Sequence, residues 1–185
     1  MIDLIQRIDS SLIQSVQSIG PGWVAVARFF SVLVDCAWVL VPMTALALSI
    51  KGRGREACGF IVLCLIALAL ILGLKGVIDA PRPGTVDASV IQYAVETSSA
   101  MPSGHALASI VILGWVWLRG SRSIRLLACI STLVLLIGLS RVYLGVHYPS
   151  QVIAGWAIGV VILWVFSRFP LSVSSSSRSF SVDNP

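Results

Sequence analysis

Three short polar clusters interrupt an otherwise apolar chain, and their residue types point to phosphate chemistry. They are Lys75 with Arg82-Pro83, then Pro102-Ser103-Gly104-His105, then Ser140-Arg141 with His147. Each sets a cation or an imidazole beside a long apolar run, where charge is costly and marks function. Together they hold three fixed cations, a hydroxyl-glycine turn and both histidines of the chain. Cations converging on one point suit an oxyanion with more than one negative charge, which means a phosphate. Two imidazoles beside it suit covalent phosphoryl transfer, one attacking phosphorus and one giving a proton to the leaving group.

Local chemistry around the clusters fits that use. Ser103-Gly104-His105 opens an apolar run, so it lies at a helix start, where free N–H groups and the helix dipole attract an anion. Gly104 lets the backbone approach a phosphate closely, and Ser103 is placed either to cap the helix or to donate to a phosphate oxygen. Pro149 is tolerated only in the first turn of a helix, so a helix begins just after His147. His147 and Gln151 then share one face. A nucleophilic imidazole presents one nitrogen to phosphorus and donates the other N–H. The Gln151 side-chain oxygen is expected to accept that N–H and fix the tautomer, although it cannot stabilise imidazolium with a full charge.

The three blocks resemble the type 2 phosphatidic acid phosphatase superfamily, which also includes glucose-6-phosphatase and the vanadium haloperoxidases. The family pattern is Lys, six residues, Arg-Pro; then Pro-Ser-Gly-His; then Ser-Arg, five residues, His, three residues, Asp. The chain matches it in order and spacing from Lys75 to His147 and departs once, with Gln151 where the family usually has Asp. Glucose-6-phosphatases and dolichyl-diphosphate phosphatases are similar to this chain in having Gln there. The resemblance implies His147 as nucleophile and His105 as acid. It implies that Lys75, Arg82, Ser103, Gly104 and Arg141 bind the phosphate, with no metal or other cofactor. The implied reaction is hydrolysis of a membrane lipid phosphate or diphosphate, such as polyprenyl diphosphate, phosphatidylglycerophosphate, phosphatidic acid or lipid A phosphate. Alternatives are phosphoryl transfer to another lipid, hydrolysis of a soluble sugar phosphate, and a silent scaffold or transporter subunit. A transporter is expected to show internal repeats, and the chain has none.

Composition says what must position these residues. With 185 residues, 57% of them apolar and 11% charged, and a mean hydropathy of +0.94, the chain reads as one integral-membrane domain, since a soluble protein of this size cannot enclose so large a core. The net charge of +5 does not indicate nucleic acid. Six of the thirteen cations sit in two short loops, at 51–55 and 119–125, and no basic stripe with interleaved aromatics remains. Cys36, Cys58, Cys64 and Cys129 lie in or beside apolar runs and read as packing residues.

The expected fold class is all-α, an integral-membrane helical bundle of about five transmembrane helices plus an N-terminal amphipathic interfacial helix. Ile2, Ile5, Ile8, Leu12, Val16 and Ile19 recur at helical spacing over residues 1–19. Asp3, Arg7 and Asp9 there break any signal-peptide core. Spans are expected at 23–50, 56–78, 103–118, 123–144 and 149–169, all in one domain of residues 1–170. Arg28 and Asp35 in the first span are expected as an anchor pair on one face. Residues 171–185, rich in Ser, are expected to be disordered. Five spans put both basic loops on one side, which the positive-inside rule makes cytoplasmic. Lys75, Arg82, His105, Arg141 and His147 then fall on the opposite, periplasmic or lumenal face of what is expected to be a cell inner membrane.

Overall fold

A computed structural model of the protein describes residues 2–168. The expected tail at 171–185 lies outside the described residues. The described residues form helices joined by loops, with no strand, as the apolar runs require, because a backbone in hydrocarbon must satisfy its own polar groups. The elements are α1 (Ile2–Gln17), a 3-10 turn (Pro21–Trp23), α2 (Val24–Asp35), α3 (Ala37–Ile50), α4 (Gly54–Ile78), α5 (Pro83–Val86), α6 (Gly104–Arg119), α7 (Ile124–Tyr143) and α8 (Pro149–Ser167).

Among the described residues, three helices are long and apolar enough to cross a bilayer alone: α4 with its extension to Val86, α7 and α8. The first expected span is not one rod. Pro21–Asp35 and Val39–Ile50 are bent by 47°, and together they make a fourth candidate. The break falls at Cys36, whose carbonyl accepts the N–H groups of both Val39 and Leu40 at 3.0 Å. Pro42 lies just beyond, inside α3, and cannot donate to the carbonyl four residues before it, which loosens the turns after the break. Helix α6 has 16 residues, a rise of about 24 Å, against roughly 30 Å of hydrocarbon. The third expected span, 103–118, is therefore a short helix.

Helix α1 is amphipathic as expected, but its inner face is partly polar. Asp9, Ile13 and Gln17, each buried, turn toward the bundle, while Ile5, Ile8, Leu12 and Ile19 stay exposed. Asp9 accepts from Ser150 N at 3.0 Å and Ser150 Oγ at 2.5 Å, so it caps the first turn of α8 from another helix. Gln17 Nε2 donates to Ile91 O at 2.6 Å and Tyr143 O at 2.9 Å. Helix α1 thus straps α7, α8 and the loop before α6 together at one end of the bundle.

The core lies between α3, α4, α6 and α8. Phe60, Leu63, Ala67 and Ile71 of α4 pack on Leu107, Val111 and Trp115 of α6, with Ala45 and Leu48 of α3 and Ile162 of α8. The α6–α8 seam depends on two glycines one turn apart, the spacing that lets membrane helices touch backbone to backbone. A Cβ on Gly155 would lie 2.5 Å from Ser103 O, and one on Gly159 would lie 2.9 Å from Ile110 Cβ. Gly155→Val is therefore expected to cost about 1–3 kcal/mol, the range for overpacking. It is also expected to push Ser103 out of place. A lower melting temperature in detergent, with phosphate release lost in parallel, checks this.

Candidate active site

All the sequence-identified polar residues meet at one end of the bundle. Lys75 comes from the last turn of α4, Arg82 from the residue before α5, and Ser103 with His105 from the start of α6. Arg141 comes from the last turn of α7, and His147 from the loop before α8. The α7–α8 connection can turn so tightly because Gly145 takes φ +71°, and a Cβ there would lie 2.3 Å from Ile91 O. The basic loops lie at the other end, where the charge of Arg119 reaches Glu56 beside Arg53.

Two buried guanidiniums form the centre. Arg82, 3% exposed, and Arg141, 2% exposed, both turn on the Glu96 carboxylate. Arg82 Nη2 donates to Glu96 Oε2 at 3.0 Å, and Arg141 Nη2 donates to Glu96 Oε1. Arg82 also donates to Ser98 O at 2.8 Å and Val146 O at 2.8 Å, which fixes its fork against the loop carrying His147. Lys75 Nζ donates to Ser98 Oγ at 2.9 Å and Ser99 O at 2.7 Å. Arg141 Nη1 donates to Ser31 Oγ at 2.5 Å. Two planar forks and an ammonium held in this way are preorganised for a multiply charged oxyanion.

His147 is 1% exposed, and its Nε2 lies 3.5 Å from Arg82 Nη1. Arginine has only donors, so the geometry favours the lone pair on Nε2 and the proton on Nδ1. Burial, then the charges of Arg141, Arg82 and Lys75, hold this imidazole well below the ordinary histidine range, and the Gln151 side chain opposes them. The ring is neutral at physiological pH, the form a nucleophile needs.

Gln151 sits beside His147, but its side-chain oxygen accepts Tyr148 N at 3.0 Å. It closes the first turn of α8 with that bond, and its side chain also acts on the imidazole. His147 Nδ1 has no hydrogen-bond partner among the described residues. Ser103 occupies the N-cap position of α6 yet makes no side-chain cap. Its Oγ is fully buried and likewise without a partner among the described residues. Of the two uses expected for that hydroxyl, the cap is not the one seen. Ser103 N donates to Gln151 O at 3.1 Å, joining the two helix starts. A Cβ on Gly104 would meet only Ile71, at 3.5 Å, so packing within the protein does not demand glycine there.

Three further residues belong to this constellation. Glu96, Ser31 and Asp35 carry no motif. Asp35 Oδ1 lies 2.9 Å from His105 Nε2, and Ser31 Oγ lies 3.4 Å from the same nitrogen. The expected Arg28–Asp35 pairing is replaced: Arg28 Nη2 donates to Tyr93 O at 2.9 Å. The available signal was a charge inside an apolar run at Asp35, and Ser31 one helical turn before it on the same face.

An apolar cavity of about 410 Å³ opens beside His105 and Gly104. Val41, Leu68, Ile71, Leu107 and Val111 line it, with Asp35 at its polar end. Among the described residues, no group of three or more His, Cys, Asp or Glu side chains is arranged to hold a metal ion.

The comparisons agree with this architecture. The fold is similar to that in the crystal structure of Aquifex aeolicus LpxE, at TM-score 0.74 and 22% identity over 86% of this chain and 94% of that one. It is also similar to that of a transmembrane PAP2 type phosphatidylglycerolphosphate phosphatase from Bacillus subtilis, at TM-score 0.77 and 20% identity over 90% of this chain and 86% of that one. A curated relative, an undecaprenyl-diphosphatase of Sulfolobus acidocaldarius, is 32% identical over 133 residues, which is 66% of this chain and 59% of that protein. The match thus spans little more than half of the relative's length. The model of the PAP2 superfamily matches residues 56–173, so with its helical bundle and its three blocks in register the chain belongs to the PAP2 superfamily.

Proposed function

We propose that this protein is an integral-membrane hydrolase that removes phosphate from a lipid phosphate or diphosphate. The observation that carries the reading is the convergence of Arg82 and Arg141, from different elements, on one carboxylate beside His147. A carboxylate with two oxygens presents to the guanidiniums what a phosphate would present. The apolar cavity ending at His105 supports a leaving group with an apolar body, and the polyprenyl diphosphate handled by the Sulfolobus relative is of that class.

In the proposed route His147 Nε2 attacks phosphorus as the bond to the leaving oxygen breaks. His105 gives that oxygen its proton. Lys75, Arg82, Arg141, Ser103 Oγ and the Gly104 N–H hold the developing charge, the largest expected contribution to rate. Water then attacks the phosphohistidine and loses its proton to His105, and orthophosphate leaves. Both imidazoles return to their starting state.

The experiment is phosphate release by the purified protein in detergent. Undecaprenyl diphosphate, phosphatidylglycerophosphate and phosphatidic acid are compared with glucose 6-phosphate. The lipids are expected to be cleaved faster; preferential cleavage of the sugar phosphate, or no release at all, would overturn the reading.

The site is proposed to face away from the cytoplasm, because the two basic loops lie at the opposite end of the bundle. In a variant without native cysteines, Ser89→Cys is expected to react with an impermeant thiol reagent added to intact cells. Ser121→Cys is expected to be protected until the membrane is opened. The reverse labelling would invert the orientation.

A further inference from the structure

Among the described residues, the histidine cast as the acid has a carboxylate partner, and the histidine cast as the nucleophile has none. Helix α2 ends at Asp35, where the first span breaks, and the break sets that carboxylate 2.9 Å from His105 Nε2. Ser31, one turn earlier, joins Arg141 to the same nitrogen at 2.5 Å and 3.4 Å. The side chain of His105 is 15% exposed and that of Asp35 is 57% exposed, so the pair reaches from the buried site to the protein surface.

We propose that Asp35 is a positioning residue for His105, holding the imidazole at the leaving-group side of the site. The need for such a partner follows from the surroundings. A general acid must carry its proton into the reaction, yet His105 stands at the same end of the bundle as Lys75 from α4 and Arg82 before α5, whose positive charges oppose that one. Arg141 of α7 reaches the same nitrogen through Ser31. The Glu96 carboxylate is held by Arg82 and Arg141, and Gln151 brings no charge. Asp35 supplies the opposing negative charge. Asp35 and His105 both line the apolar cavity, which puts the pair beside the space proposed for the leaving group's apolar body. After the first step His105 takes a proton from the attacking water, and the carboxylate holds the ring in place for that second transfer.

This inference rests on the proposed hydrolase reading, but its main test does not need activity. The chain has two histidines, so histidine-labelled protein in detergent gives two imidazole signals by NMR, assigned with His147→Gln. In Asp35→Asn the His105 signal is expected to titrate about 1–3 pH units lower, because an opposite charge that favours the protonated ring has gone. An unchanged titration in a variant that is monodisperse and melts like the parent would overturn the proposal. Asp35→Glu is expected to restore it, which separates lost charge from a damaged fold. In turnover, Asp35→Asn is expected to cost about 10²-fold with a lipid substrate, and much less with 4-nitrophenyl phosphate, whose leaving group needs no proton. Its alkaline limb is expected to move to lower pH. A loss equal for both substrates, with the limb unmoved, would make Asp35 merely structural. A parent protein that cleaves no lipid while the titration shifts as expected would defeat the hydrolase reading and leave the Asp35–His105 coupling standing.

Discussion

Replacing His147 by alanine is expected to abolish phosphate release from every substrate, whatever the leaving group. Loss of a covalent nucleophile in an enzyme that depends on one costs about 10⁶ in turnover, and nothing near His147 can take over. The fold is expected to survive, because the ring is buried without a partner for Nδ1 among the described residues, and alanine strands no donor. The pH profile of the parent gives a second check. Burial and three neighbouring cations hold the His147 imidazole well below its ordinary value, so it stays neutral as pH falls through about 6.5. The acid limb of activity assigned to this group is therefore expected below that pH. A limb at the ordinary histidine value would mean that another group titrates there.

The second large effect is expected at Arg141. Its guanidinium is 2% exposed and spans Ser31 on α2 and Glu96 in the loop before α6. Arg141→Leu is expected to lower turnover about 10²–10³-fold, the range for removing one preorganised donor to a developing oxyanion. Glu96 is not stranded by the change, since Arg82 still donates to it at 3.0 Å. Arg141→Lys keeps the charge but not the planar fork. It is expected to fall between the two, with most of its loss in KM. Equal loss in Lys and Leu would mean that geometry, and not charge, sets the contribution. Full activity in Leu would remove Arg141 from the phosphate site.

The comparison of sequence with structure divides along sequence distance. Lys75, Arg82, Ser103, His105, Arg141 and His147 were legible because their types are costly in an apolar chain and their local spacing is chemical. The helices were legible because apolar runs of the right length have few other uses in water or lipid. The break at Cys36 was not, since apolar residues continue on both sides of it from Trp23 to Ile50 and only Asp35 and Pro42 mark the place. Asp35 and Glu96 were not assigned because their partners lie 70 and 45 residues away, and no periodicity reports such pairing. Gln151 shows a third limit. Its proximity to His147 followed from helical spacing, but a side-chain oxygen near a helix start also has the open backbone N–H groups of that start to satisfy, and Tyr148 N takes it.

The central claim is covalent phosphoryl transfer through His147, and mapping the phosphoenzyme tests it most directly. Purified protein is mixed with a lipid diphosphate for less than one turnover, quenched in alkali, where phosphohistidine survives, and digested for mass spectrometry. The account predicts a phosphate adduct on the peptide holding His147, absent in His147→Ala and longer-lived in His105→Ala, where no base activates the water. An adduct on His105, or rapid phosphate release with no adduct on either histidine, would contradict it.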